Sequence, residues 1–170
     1  MLVEWFTQNP VFGLDYLCNA SSKLATLMGI IQYHCVRRDE RLLVIMEWPL
    51  VSWLAEIATF MSGVRVETIH SDQTTRERES IIDEFNDPDS DLRILLGTSR
   101  LIGQGLNVQR SCHVLVILEP QTNLSLTQQI IGRIYRLGQT AHQTIYIVTS
   151  EYTSTPSASP AMSKSSSVNR

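Results

Sequence analysis

Three short, almost wholly apolar runs constrain this chain most: Arg41 to Met46 (RLLVIM), Leu92 to Leu96 (LRILL) and Val114 to Leu118 (VLVIL). Each has the length of a strand, and none alternates apolar with polar residues. A strand that is apolar on both faces must be covered on both faces. That is the situation of parallel strands with helices above and below them.

The segments between these runs carry helical spacing. Ser21 or Ser22 caps a predicted helix with Leu24, Leu27, Met28, Ile31 and Cys35 on one face. Pro49 suits a helix first turn, and Leu50, Trp53, Leu54, Ile57 and Met61 mark the expected buried face, with Gly63 as the stop. Val64, Val66 and Ile69 suggest a strand. Thr74 with Glu77 forms a capping box ahead of Ile81, Ile82 and Phe85, and Asp87-Pro88 closes that helix. A last strand is predicted from Thr144 to Val148. Helix and strand alternate throughout, which predicts an α/β domain with a mainly parallel sheet.

The predicted core runs over residues 21–150. Residues 1–20 hold scattered aromatics without a clear period and read as an irregular lead-in. Beyond residue 150 the composition changes: seven of the last twenty residues are Ser, and Val168 is the sole large aliphatic. Such a segment buries too little to offset its ordering entropy, so 151–170 is expected to be a disordered tail.

Composition narrows the function classes. No run approaches the roughly 20 apolar residues of a membrane-spanning helix, and the start (MLVEWF) lacks the basic n-region of a secretory signal. Cys18, Cys35 and Cys112 are odd in number and form no C-x-x-C, which argues against a disulfide framework or a zinc site. Cys112-His113 is not expected to form a thiol dyad, because neighbours in a strand point to opposite faces. The net charge of -3 is not that of a strongly basic nucleic-acid binder, yet twelve of the 14 basic residues are Arg. Arg suits local, two-point phosphate contacts better than diffuse attraction.

The chemistry concentrates in Gln129-Ile-Ile-Gly132-Arg133-Ile-Tyr-Arg136-Leu-Gly138-Gln139. On a helix Gln129, Gly132, Arg133 and Arg136 share one face. Two guanidinium groups one turn apart, beside a glycine that admits close approach, form a fork for phosphate oxygens. A second segment, Thr98-Ser99-Arg100-Leu101-Ile102-Gly103-Gln104-Gly105-Leu106-Asn107, follows a predicted strand. Ligand-contacting loops of open parallel sheets gather at strand C-terminal ends. Gly103 and Gly105 would let backbone amides approach a ligand, and the Thr98 and Ser99 hydroxyls could donate to phosphate.

Together these strings resemble the last motifs of superfamily-two ATPases of the Swi/Snf type. Ser21-Ser22-Lys23-Leu24 and Ile69 to Asn86 resemble further segments of that family, as does the interval from Glu119 to Gln129. The resemblance implies the second of two RecA-like lobes, a three-layer α/β domain. It implies that Arg136, with Arg133, is an arginine finger to ATP bound on a first lobe, with Gln129 and Gly132 in the same nucleotide contact. Thr98, Ser99, Gly103, Gly105 and Asn107 would meet the DNA backbone. It further implies Mg²⁺ on the first lobe, double-stranded DNA or chromatin as partner, and nuclear location. Leu101-Ile102 replaces the family's usual Ala-Gly, Glu119 its usual Asp, and Thr122-Asn123-Leu124 its Trp-Asn-Pro.

No G-x-x-x-x-G-K-[ST] phosphate loop occurs, and neither Lys23 nor Lys164 follows a glycine loop. Glu119 is therefore expected to serve as a hydrogen-bonding group at a strand end and not as a Mg²⁺ ligand. The chain is expected to be half of an ATP hydrolase. Two other readings fit the same residues: an interaction or regulatory module without turnover, and a truncated gene fragment.

Overall fold

The computed structural model describes residues 10–102, 108, 111–119, 128, 130–132 and 142–149. The predicted tail 151–170 lies outside them, as do residues 1–9. Five strands form one sheet: β1 (Leu42–Met46), β2 (Val66–Ile69), β3 (Ile94–Thr98), β4 (Val114–Ile117) and β5 (Thr144–Ile147). Their order is β2-β3-β1-β4-β5, and every pairing is parallel. The helices are α1 (Pro10–Ala20), α2 (Ser22–Ile31), α3 (Pro49–Met61), α4 (Thr75–Asn86) and α5 (Ser99–Ile102).

The apolar runs explain the layering. In β1, Leu42, Val44 and Met46 face one core, shared with α1, α2 and α3; Leu43 and Ile45 face the other, shared with α4 and α5. Successive strand side chains point to opposite faces, so each run feeds two cores at once. The result is the expected three-layer α/β domain.

Local signals set most boundaries. Ser21 accepts the Leu24 N–H at 3.4 Å and caps α2. The Thr74 hydroxyl accepts the Glu77 N–H at 3.3 Å while Glu77 accepts the Thr74 N–H at 2.6 Å, the reciprocal capping box. Gly63 ends α3 with φ of 75°, a left-handed conformation that costs little without a Cβ.

Two expectations are corrected. Residues Pro10–Ala20 are not an irregular lead-in: they form α1, and Leu14 and Leu17 pack into the core of α2 and α3. Exposed Val11, Phe12 and Tyr16 sit among them and hide the helical period. On α3, Leu50 and Trp53 are exposed instead of buried. Ser52, Ala55, Ala58 and Thr59 make the buried stripe, flanked by Val51, Leu54, Ile57 and Met61. Small side chains let the helix lie close on the sheet, and bulk is displaced to the margins.

A single π turn, Gln32–Val36, extends α2 and buries His34. Its Nδ1 donates to Glu40 Oε2 at 2.5 Å, and its Nε2 hydrogen-bonds with the Tyr146 hydroxyl at 2.9 Å. Burial by itself raises the Glu40 carboxyl. Hydrogen bonds from His34 and His113 and the charge of Arg38 outweigh it, holding the group below its ordinary value of 4.5. A carboxyl depressed by folding contributes stability that is full above its unfolded pKa and lost as pH falls through the folded one. Glu40→Gln is therefore expected to be less stable than the wild type near neutrality, with the gap closing below about pH 4.5. Urea midpoints across that range check this; a constant gap would count against it.

Candidate functional site at the C-terminal edge of the sheet

From β1 the chain crosses one way to β2, and from β4 it moves the other way to β5. The crevice between the C-terminal ends of β1 and β4 is thus a topological switch point, where open parallel sheets bind ligands. Glu119 follows β4 there. Its Oε2 accepts the backbone N–H groups of Glu47 at 3.3 Å and Trp48 at 3.2 Å, and Oε1 lies 3.9 Å from Lys23 Nζ. The hydrogen-bonding role expected for Glu119 is realised. It ties the end of β4 to the turn after β1 and to the start of α2.

Beside this crevice, over the ends of β1, β2 and β3, opens a cavity of about 570 Å³. Thr98 and Ser99 both line it. Thr98 ends β3 half-buried; Ser99 is buried, and its hydroxyl donates to Glu47 Oε2 at 2.6 Å. As it stands, Ser99 orders the loop after β1 and does not offer its hydroxyl to a ligand. Gly132 is exposed in a helical segment next to the buried Ile130. Gly103, Gly105, Asn107, Gln129, Arg133 and Arg136 lie outside the described residues.

The bulk of Leu101-Ile102 has a compensation in β3. A Cβ on Gly97 would meet Ile102 Cδ1 at 2.7 Å, so glycine in the strand makes room for the fully buried isoleucine. No local pattern in the sequence pairs Gly97 with Ile102, and none places Trp48, Ser52, Trp53 and His70 together, though all four line the cavity. Glu47-Trp48-Pro49 directly after an apolar run was the available signal, because it stands at a strand C-terminal end.

The cysteines are not activated. Burial pushes the thiols of Cys35 and Cys112 up to about 12, away from the thiolate that nucleophilic chemistry needs. His113 faces Glu40 at 3.5 Å. Among the described residues no group of three or more His, Cys, Asp or Glu is placed to hold a metal ion, and no helix is long and apolar enough to cross a membrane.

The family model of the helicase conserved C-terminal domain matches residues 22–138, more than half of the chain. Transcription termination factor 2 of Drosophila melanogaster is 30% identical over 139 residues, covering 81% of this chain and 13% of that protein. The ATP-dependent helicase BRM of Arabidopsis thaliana is 33% identical over 131 residues, covering 76% of this chain and 6% of that protein. The chain thus spans a small part of the length of these curated relatives. Among solved structures, the C-terminal part of the Fun30 ATPase domain has the same fold, with a TM-score of 0.69 at 21% identity over 75% of this chain and 40% of that one. With motifs, topology and relatives in agreement, the chain belongs to the helicase conserved C-terminal domain family, as a second RecA-like lobe of the Swi/Snf type.

Proposed function

We propose that this chain acts as the second lobe of a DNA-translocating ATPase in the nucleus, completing an ATP site on a Walker-A-bearing partner lobe that also carries Mg²⁺. The observation that carries the proposal is the string Gln129-x-x-Gly132-Arg133-x-x-Arg136 within the matched family segment. ATP, when bound to the partner lobe, supplies the phosphoryl group for transfer to water. Arg136 and Arg133 meet charge developing on that group, and Gln129 orients the contact. Thr98, with Gly103, Gly105 and Asn107, contacts the backbone of double-stranded DNA.

A second reading, an interaction module without turnover, is favoured by one observation. The Ser99 hydroxyl is committed to Glu47 and not free for phosphate. Reconstitution separates the two. Purified alone, the chain is expected to show no DNA-stimulated ATP turnover; mixed with a separately expressed Walker-A lobe of a Swi/Snf-type protein, it is expected to restore it. Turnover by the chain alone would overturn the half-enzyme reading, and failure to restore it with any such lobe would favour the module.

A further inference from the structure

We infer that the cavity at the C-terminal edge is a stacking site for an unpaired nucleobase, with Trp48 and Trp53 as its aromatic walls. The inference rests on the DNA reading above and adds that a base, and not the backbone alone, is held here. Tryptophan is a large apolar group that usually gains by burial. Yet Trp48 is 64% exposed and Trp53 47% exposed, and both line this one cavity.

Both rings stand on fixed backbone. The Trp48 N–H is held by Glu119, and the preceding Glu47 carboxylate accepts the Ser99 hydroxyl at 2.6 Å. Trp53 lies one turn into α3, whose small-residue stripe is locked on the sheet. Rigid aromatics lose little entropy when a planar ligand stacks on them.

The rest of the lining suits a base better than an apolar side chain. Arg100 and His70 line it, and a guanidinium plane can itself stack on a base. Ser52 is buried at the cavity wall, and Thr98 lines the same cavity half-buried. Polar groups set beside the rings favour a ligand that carries donor or acceptor edges. Glu47 is the one acid among the described lining residues, and Ser99 already satisfies it. A volume of about 570 Å³ falls within the range of ligand pockets. In a duplex the base faces are hidden by stacking, so only an unpaired base presents them.

The test uses the 170-residue chain and fluorescein-labelled oligonucleotides, single-stranded and as a blunt duplex of the same sequence, read by anisotropy. Trp48→Ala and Trp53→Ala are each expected to weaken single-strand binding on the order of tenfold, as loss of one stacked base does, and to leave duplex binding unchanged. Trp48→Phe, which keeps a ring, is expected to retain most of the affinity, and thermal melts confirm that each variant folds. Equal losses for both nucleic acids, or none for the single strand, overturn the inference. Duplex binding without single-strand binding overturns it alone. Binding of neither form also removes the DNA reading beneath it. If the tryptophans are protected only on addition of a Walker-A lobe, the surface is a protein interface and the inference fails.

Discussion

Arg136→Ala is expected to lower ATP turnover by about a thousandfold once the chain is combined with a Walker-A-bearing lobe. The reason is local. Negative charge spreads over the equatorial oxygens of the transferred phosphoryl group, and a guanidinium aimed at them stabilises the transition state more than the bound ground state. Alanine leaves that charge unmatched. Arg136→Lys is expected to recover little, because one ammonium cannot reproduce a planar, two-point contact. Arg133→Ala is expected to follow Arg136→Ala, with part of its loss arising from weaker lobe closure. Single-turnover rates at saturating ATP, with the unfolding midpoint of each variant, separate chemistry from folding. A variant that loses stability and keeps its rate would make the arginine structural.

The largest single loss of stability is expected at Arg41, about 3 kcal/mol for Arg41→Ala by urea denaturation. Arg41 is buried at the start of β1, where its Nε donates to the Leu92 carbonyl at 3.2 Å and its Nη2 to the Ser90 carbonyl at 3.0 Å and the Asp87 carbonyl. These carbonyls belong to the turn joining α4 to β3. One guanidinium thus anchors a polar turn to the central strand; removing it strips buried carbonyls of their donor. Arg41→Lys is expected to restore less than half of the loss, since an ammonium cannot span acceptors set around a planar fork. A loss below about 1 kcal/mol, typical of an exposed side chain, would show that water replaces the guanidinium there.

The strands were legible because their signal is one-dimensional. Val114 to Ile117 is apolar throughout, and only a strand covered on both faces tolerates that. The caps at Ser21 and Thr74 and the stop at Gly63 were legible for the same reason: each is a contact between residues within one turn. The strings at 98–107 and 129–139, with the segments at 21–24 and 69–86, carried the family resemblance.

What the sequence hid depends on distance and size. The period of α1 was masked because its exposed face is as apolar as its buried one, and which face is covered is settled by α2 and α3. On α3, hydrophobicity pointed to Leu50 and Trp53, while close approach to the sheet selected Ala55, Ala58 and Thr59. Ser99 and Glu47 are 52 positions apart and Glu119 and Trp48 are 71, so no local pattern could pair them. The sequence by itself determined the strands, the caps and the family, since these follow from neighbours along the chain. Only the tertiary structure decided which side chains line the cavity and which hydroxyls are already committed, because those contacts exist only once parallel strands bring remote C-terminal ends together.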